Sequence, residues 1–174
     1  MKERRKSVPD RESRDLRILE NLFRLTKFAE AGKVFLYRSF GTEAGTDRIA
    51  AELARNGREI FYPRTEEDGL VLVRYTGQPF KKGRFSCLEP EGNAFGGIPD
   101  VCVTPLLAVD SAFRRLGYGG GWYDRYFAGK GRDVYKIGIC YDFQIVDYIP
   151  DEAHDVPLDA IVSDRRVLRR EEKE

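Results

Sequence analysis

The sequence predicts an α/β domain with three layers, in which helices cover both faces of a mostly parallel, Rossmann-like sheet. Short apolar runs of strand length alternate along the chain with segments of helical apolar spacing. A glycine-rich loop follows one such run and opens a helix. Neither a repeat nor a linker divides the 174 residues, so 1–174 is predicted to be a single domain, large enough to bury a core.

The first helix is predicted from a capping signal. Ser7 is followed three residues later by Asp10, with a proline between them, which is typical of a capping box. Behind it, leucines and a phenylalanine recur at helical spacing. The predicted helices span residues 8–30, 47–55, 122–127 and 143–148.

The predicted strands are short runs rich in β-branched and aromatic residues. They span residues 34–37, 59–62, 70–75, 100–109, 134–141 and 159–162. Pro63 is expected to end the second strand, because proline cannot donate to a ladder. Residues 76–99, rich in glycine and proline, are predicted to be irregular, and 165–174 to be a solvated tail.

Composition and charge narrow the function classes. The chain is 41% hydrophobic and 34% charged, with a net charge of +1, which does not suggest a protein that coats nucleic acid. No apolar run is long enough to cross a bilayer, and the basic N-terminus lacks the apolar stretch of a secretory signal. The three cysteines have no zinc spacing. We therefore expect a cytoplasmic monomer or weak homodimer without nucleic-acid or membrane partners.

The most informative stretch is the loop at 117–121, which has four glycines in five positions. Glycine permits positive φ and a close approach of the backbone to a ligand, and the amides of a helix start suit phosphate oxygens. Arg114 and Arg115 add positive charge beside it. The loop is not a P-loop, because the pattern GxxxxGK[ST] is absent. It is not the dinucleotide fingerprint either, because Trp122 stands where the third glycine would be. A tight turn that needs glycine only for its shape is the alternative.

Loops that follow parallel strands meet at one edge of the sheet, so residues 41–45, 111–121 and 142–157 are expected to line one pocket. Asp124 lies in the first turn of the helix after the glycines. There it could be an ordinary partner of the helix dipole, or it could hold Mg²⁺ together with phosphate oxygens. Both readings stay open on the chemistry alone.

The glycine stretch resembles the ATP loop of the 5-formyltetrahydrofolate cyclo-ligase family almost position for position. The similarity runs from 105 to 125, with Trp122 where tyrosine is usual. Weaker similarities follow the family's order over about 8–163. They lie at residues 43–46, 62–64, 89–90, 147–150 and 154–159.

The resemblance implies an ATP- and Mg²⁺-dependent conversion of 5-formyltetrahydrofolate to 5,10-methenyltetrahydrofolate, with ADP and phosphate released. Phosphorylation of the formyl oxygen would create a leaving group, and N10 of the folate would attack the same carbon. Such a reaction needs positioning and neutralisation of charge rather than a protein nucleophile. That requirement agrees with a sequence rich in glycine, arginine and carboxylates around the loop.

The resemblance also implies roles for individual residues. Arg115, Tyr123 and Asp124 are the candidate catalytic residues, and Asp124 with Asp155 would hold Mg²⁺. The ATP-binding candidates of the loop and helix start are Arg115, Leu116, Gly117, Tyr118, Gly119, Gly120, Gly121, Trp122, Tyr123 and Asp124. The candidates for binding the folate are Glu43, Arg38, Phe40 and Tyr62.

The N-terminus departs from the family's pattern. The family usually begins with a Lys-x-x-x-Arg pair whose side chains reach the ATP phosphates. Lys2 and Arg5 have a comparable spacing and are the ATP-binding candidates here, although the capping signal at Ser7 predicts that residues 2–6 are a solvated charged tail. His154 could tune Asp155 or could be a surface histidine.

Two other functions are compatible with an α/β sheet. One is an isomerase-like enzyme acting on a sugar phosphate, and the run 122–124 directly after the glycines disfavours it. The other is a non-catalytic relative that binds nucleotide, RNA or a protein partner, and the near-neutral charge disfavours RNA. Dependence of activity on Mg²⁺ and ATP would separate the ligase from both.

Overall fold

The computed structural model describes residues 1–83, 87–150 and 152–171 and is organised around one large sheet. The strands are β1 (Lys33–Leu36), β2 (Glu59–Glu66), β3 (Gly69–Tyr75), β4 (Phe80–Lys82), β5 (Leu88–Pro90), β6 (Val101–Thr104), β7 (Ala108–Asp110), β8 (Arg115–Leu116), β9 (Tyr135–Cys140), β10 (Ile145–Val146), β11 (Ala160–Ser163) and β12 (Val167–Arg169). The α-helices are α1 (Lys2–Lys6), α2 (Arg11–Phe23), α3 (Thr26–Ala29), α4 (Asp47–Arg55) and α5 (Trp122–Ala128).

The large sheet has seven strands in the order β12-β11-β9-β6-β1-β2-β3. The five inner strands run parallel to one another, whereas β12 and β3 pair antiparallel at the two edges. All residues of β6 and β11 are buried, as expected for central strands of a parallel sheet that is covered on both faces. The prediction of a mostly parallel sheet is confirmed.

Helices cover both faces of this sheet. On one face, α2 and α4 bury apolar side chains such as Ile18, Leu22 and Ile49 against the strands. On the other face, Phe127 of α5 packs with Phe35 and other core residues. The predicted arrangement of helices around a central sheet is therefore present.

The prediction of one long N-terminal helix over residues 8–30 is wrong. The segment is divided into α2 and α3 because Leu25 between them is extended, with φ −82° and ψ 112°, and is buried in the core. The predicted capping box does not form either. Asp10 is the N-cap residue of α2, with φ 49° and no capping hydrogen bond from its side chain, and the chain turns there from α1 into α2.

Helix α2 is joined to the last inner strand by polar contacts. The Asn21 side-chain amide donates to the carbonyl of Ser163 at 2.9 Å. Arg14 Nη1 donates to Asp164 Oδ2 at 2.6 Å, and the side chain of Asp164 is only 1% exposed. Breaking this pair would leave a buried charge without compensation, so the contact fixes α2 against the end of β11.

The prediction of a single strand over residues 100–109 is also wrong. The chain leaves the large sheet after β6, and β7 belongs to a separate three-stranded sheet with the order β10-β7-β8. Pro105 lies between the two strands and has no N–H to continue a ladder. The change of sheet carries the chain toward the glycine loop.

Pro63 does not end its strand, contrary to the prediction. Strand β2 continues to Glu66 and pairs with β3, with Pro63 opposite Leu72. The last residue of β2 that pairs with β1 is Phe61, so Pro63 lies where the strand has only one neighbour and can do without its N–H.

Three further segments differ from their predictions. Within 76–99, β4 and β5 form an antiparallel pair. The helix predicted over 143–148 is only a short 3-10 turn at Asp142–Gln144 followed by β10, because the Gln144 side chain bonds the backbone of Tyr141 and closes the turn. The predicted tail contains the edge strand β12, whose Val167 and Leu168 pack against the core.

Candidate active site

The three predicted loops meet beyond the carboxyl ends of the parallel strands. Glu43, in the loop after β1, and Tyr118, in the glycine loop, lie close enough for each side chain to shift the pKa of the other. On its other side, the helix that follows the glycines reaches the third loop, because the amide of Val156 donates to Asp124 Oδ1 at 3.4 Å. These contacts bring the three loops together at one site, which we call the candidate cleft.

The glycine loop needs glycine for its backbone and leaves space beside it. Gly119 has φ 89° and Gly121 has φ 60°, values that other residues adopt only with strain. A Cβ placed on Gly119 would meet no other atom within 4 Å, and Gly119 is exposed. The backbone at Gly119 is therefore open to a ligand, whereas a Cβ on the other three glycines of the loop would meet side chains of Arg115, Trp122 or Arg125.

The candidate catalytic residues come together at the start of α5. Arg115 Nη2 donates to both carboxylate oxygens of Asp124, at 3.0 and 2.9 Å. The guanidinium of Arg115 also lies over the ring of Tyr123, which stacks on Phe35 with 5.6 Å between the ring centroids. The side chains of Arg115 and Asp124 are 5% and 15% exposed, so the pair lies in the inner wall of the candidate cleft.

The neighbouring arginine has a different role. Arg114 pairs with Asp110, whose side chain is fully buried, through a 2.8 Å bond from Nε to Oδ2. Asp110 also accepts the amides of Ala112, Arg114 and Ile149. Arg114 therefore stabilises the turn that precedes the glycine loop.

The two candidate metal ligands lie on neighbouring elements. Asp155 is in the loop before β11, and its Oδ2 accepts the amide of Glu152 at 2.9 Å. The next residue, Val156, contacts Asp124. Within the described ranges, no group of three or more metal-ligating side chains occurs. Mg²⁺ bound to a nucleotide needs only one or two protein carboxylates, so the partly exposed Asp124 and Asp155 fit such a donor set.

His154 lies beside these carboxylates but points to solvent. Its side chain is 66% exposed, and its Nε2 is 3.4 Å from Glu152 Oε2 and 4.0 Å from Asp155 Oδ1. The geometry agrees with the surface histidine considered from the sequence.

Glu43 is the folate-binding candidate that faces the candidate cleft. It is half-buried, and burial raises the pKa of its carboxyl above the ordinary value. Its Oε2 accepts the amide of Phe40 at 2.8 Å, which closes the turn 40–43. The ring of Phe40 is exposed at the rim of this turn.

The other two folate candidates are engaged in packing. Tyr62 is 2% exposed, and its ring packs edge-on against Tyr75 and Phe80. Arg38 pairs with Asp47 at 3.1 Å and lies over the ring of Phe80. Their roles toward folate stay predictions, with less geometric support than that of Glu43.

The expectation of a solvated tail at residues 2–6 is wrong. These residues form α1, and Arg5 is only 3% exposed. Arg5 Nη2 donates to the Tyr118 hydroxyl at 2.8 Å, and Nη1 donates to the carbonyl of Leu106 at 3.4 Å. Lys2 Nζ lies 5.4 Å from the centroid of the Tyr118 ring. The segment has no apolar pattern, and hydrogen bonds together with cation–π contacts to Tyr118 hold both candidates against the glycine loop.

Arg11 is a residue of the candidate cleft that the sequence did not indicate. Its Nη2 donates to the carbonyl of Arg5 at 2.7 Å, and its Nη1 donates to the carbonyl of Glu43 at 3.3 Å. Arg11 thus joins α1 to the loop after β1. No local signal distinguishes it from the other arginines of a highly charged helix.

Among the residues that the structure describes, no helix is long and apolar enough to span a bilayer.

Comparisons with known proteins agree on one family. A family model described as the 5-formyltetrahydrofolate cyclo-ligase family matches residues 1–164. The chain is 30% identical over 150 residues to the 5-formyltetrahydrofolate cyclo-ligase of Haemophilus influenzae, covering 81% of this chain and 80% of the relative. It is 31% identical over 146 residues to the enzyme of that name from Escherichia coli K12, covering 79% and 80%.

Two solved structures are similar over most of the chain. The 5,10-methenyltetrahydrofolate synthetase of Aquifex aeolicus superposes with a TM-score of 0.84 and 28% identity, over 99% of this chain and 90% of that one. The synthetase of Mycoplasma pneumoniae gives a TM-score of 0.70 and 27% identity, over 93% of both chains. The comparisons favour the ligase over the isomerase-like and non-catalytic alternatives.

Proposed function

Because the chain belongs to the 5-formyltetrahydrofolate cyclo-ligase family, whose reaction is the ATP-dependent conversion of 5-formyltetrahydrofolate to 5,10-methenyltetrahydrofolate, we propose that it performs this reaction in the candidate cleft. ATP binds with its phosphates against the glycine loop, and the folate binds on the side of Glu43. The two substrates meet between the loop and the turn 40–43.

The assignment of the nucleotide site rests on two buried arginines at the glycine loop that have an unused hydrogen-bond donor. Arg5 and Arg115 each have a buried Nε without a hydrogen-bond partner among the described residues. A buried guanidinium is costly unless its charge and its N–H groups are compensated. The charge of Arg115 is paired with Asp124, whereas Arg5 has no ion pair among the described residues. The oxygens of a triphosphate would supply negative charge to Arg5 and acceptors to both arginines, which supports ATP as the ligand at this end.

The reaction requires the side chains only to position the substrates and to neutralise charge. The formyl oxygen attacks the γ-phosphorus of ATP and ADP leaves, which turns the poor formamide electrophile into an activated one. N10 then attacks the formyl carbon and loses its proton, and phosphate departs as the five-membered ring closes. Arg115 and Arg5 neutralise charge that moves between the phosphate oxygens, whereas Glu43 orients the folate.

Asp124 and Asp155 would hold Mg²⁺ when nucleotide is bound. The ion would screen the negative charge of the phosphates and orient them. Asp124 additionally holds Arg115 through its two carboxylate oxygens, so it fixes the guanidinium as well as contributing a ligand.

The proposal also covers the localisation, the domain organisation and the partners of the protein. We propose a cytoplasmic, single-domain enzyme that acts on the folate and ATP as a monomer or weak homodimer, without nucleic-acid or membrane partners. One large sheet that includes both β1 and β12 supports the single domain. The net charge of +1 supports the absence of nucleic-acid partners.

The proposal is tested by following the absorbance of 5,10-methenyltetrahydrofolate after mixing protein, 5-formyltetrahydrofolate, ATP and Mg²⁺. Product should form with all components and cease when ATP is omitted or Mg²⁺ is chelated. ADP and phosphate should appear in equal amounts with the product. Formation of product without nucleotide, or ATP hydrolysis without product, would contradict the proposal.

A further inference from the structure

The side chain of Arg11, the first residue of α2, bridges two segments of the candidate cleft. Its Nη2 donates to the backbone carbonyl of Arg5 at 2.7 Å, in the last turn of α1, where helix carbonyls lack an intrahelical partner. Its Nη1 donates to the carbonyls of Glu43 at 3.3 Å and Gly41 at 3.5 Å, in the loop after β1. One planar guanidinium thus holds the backbones of the residues assigned to ATP and to folate.

The guanidinium of Arg11 is itself held in place by the body of the protein. It is half-buried and lies over the ring of Tyr141, 5.6 Å from the ring centroid. Tyr141 is fully buried, and its hydroxyl donates to Oδ1 of Asp15, one helical turn after Arg11, at 2.9 Å. Asp15 also lies against the loop after β1, since a Cβ on Gly45 would come within 2.7 Å of its Oδ2. Helix α2 therefore contacts that loop at two points.

The two segments that Arg11 joins depend on such contacts for their position. Helix α1 has five residues, and a helix of that length is not stable without outside contacts. The loop after β1 contains the turn 40–43, in which Glu43 Oε2 accepts the amide of Phe40 at 2.8 Å. The direction of the Glu43 carboxylate therefore depends on the backbone of this turn, as the direction of the Arg5 guanidinium depends on the place of α1.

We infer that Arg11 is a positioning residue for both substrates, which holds Arg5 and Glu43 in their binding positions before either substrate arrives. The inference rests on the proposed function of the candidate cleft. Without Arg11, only a fraction of the molecules would have each segment in place, and the apparent affinity for each substrate would fall by that fraction. Both affinities weaken together, unlike the effect of a residue that touches one substrate alone. Once both substrates are bound, they order the segments themselves.

The test measures how substitution of Arg11 divides between KM and kcat. Arg11→Gln removes the guanidinium and keeps a polar side chain that suits a helix. In the assay for methenyl product, KM for ATP and KM for 5-formyltetrahydrofolate should each rise about 10-fold. At saturation with both substrates, kcat should fall less than about 3-fold. Arg11→Lys keeps a cation that reaches one carbonyl at a time, so its KM values should rise only about 3-fold.

Arg17→Gln is the matched control, because Arg17 lies in the same helix and is exposed, and its Nη1 donates to Ser13 Oγ of that helix at 2.7 Å. It should keep both KM values of the wild type. Hydrogen exchange tests the attachment without turnover. Amides of residues 1–6 and 40–45 should exchange faster in Arg11→Gln than in the wild type or Arg17→Gln, whereas amides of the central strand β6 should exchange equally slowly in all three.

Three results would overturn the inference: a rise of KM for one substrate or neither in Arg11→Gln, a fall of kcat with both KM values unchanged, or unchanged exchange in the two segments. The second result would indicate a smaller amount of active protein, which is what a merely structural role predicts. A wild type that forms product while Arg11→Gln keeps both KM values would refute the role of Arg11 alone. A wild type that forms no product would refute the proposed function, and the role of Arg11 with it.

Discussion

Gly119 and Gly57 offer a matched pair of substitutions that separates ligand binding from stability. Both have a left-handed backbone, with φ 89° and 67°, and a Cβ on either would meet no other atom within 4 Å. Gly119 is at the centre of the glycine loop. Gly57 follows the end of α4, at the amino end of β2 and thus at the opposite edge of the sheet. Replacing each with alanine adds the same methyl group in similar conformational surroundings.

The cost to stability should be similar for the two variants. Without a clash, the penalty is the backbone strain of a non-glycine residue in the left-handed region, about 1–2 kcal/mol. For a domain of this size, that loss in the free energy of unfolding lowers Tm by about 2–8 °C. The cost to nucleotide binding should differ, because only the methyl group at position 119 enters space assigned to phosphate oxygens.

Thermal melting with and without Mg²⁺-ATP measures both effects. At about 100 times Kd, a ligand stabilises the native state by about 2.7 kcal/mol, which raises Tm by about 5–10 °C. The wild type and Gly57→Ala should show this full shift, whereas Gly119→Ala should show little of it at the same ATP concentration. If Gly119→Ala and Gly57→Ala shift equally, the glycine loop does not cradle the phosphates and the ATP site lies elsewhere.

The remaining predictions concern the three carboxylates assigned to folate and Mg²⁺, which are Glu43, Asp124 and Asp155. Glu43→Gln should raise KM for the folate by about 10- to 100-fold and spare KM for ATP, as expected for the loss of a charge-assisted bond worth about 1.5–3 kcal/mol. If Glu43→Gln raises KM for ATP as much as KM for the folate, the assignment is wrong. Because burial raises the pKa of Glu43, the folate affinity of the wild type should fall on acidification at a higher pH than for an ordinary glutamate. Glu43→Gln should lack this pH dependence. Asp124→Asn should lower kcat and shift the dependence of activity on Mg²⁺ to higher concentration. Asp155→Asn should shift the same dependence without disturbing Arg115. If neither variant changes the Mg²⁺ dependence, the metal site is wrong.

The sheet was predictable because its inner strands carry continuous apolar runs. Such runs in β6 and β11 are the pattern of strands covered on both faces, and the helices between them complete the α/β alternation. The strand prediction failed where an apolar run passes from one sheet to another. Residues 100–109 look continuous, yet the chain changes sheets at Pro105, and a local apolar pattern carries no information about which sheet a strand joins.

The glycine loop was predictable for the opposite reason. Several glycines beside an arginine and an aspartate indicate a backbone that turns and approaches an anion, and Gly119 and Gly121 do have positive φ. The contacts of that loop with the amino-terminal segment were indicated only by the family resemblance, which named Lys2 and Arg5 as ATP-binding candidates, and not by any local pattern. Arg5 and Arg11 are separated from Tyr118 by more than a hundred residues of chain, and they lie in charged segments that read as solvated surface. Burial of a cation through polar contacts leaves no hydrophobic pattern in a sequence.

The contact between α2 and the end of β11 has a consequence for the order of events during synthesis. Arg14 and Asn21 bond Asp164 and Ser163, which the ribosome produces 150 and 142 residues later, and Arg5 bonds Tyr118. These polar contacts of α1 and α2 can therefore form only after most of the chain is available. Contacts of such large sequence separation require closure of a long loop, which slows folding in general and leaves the apolar face of these helices exposed in the meantime.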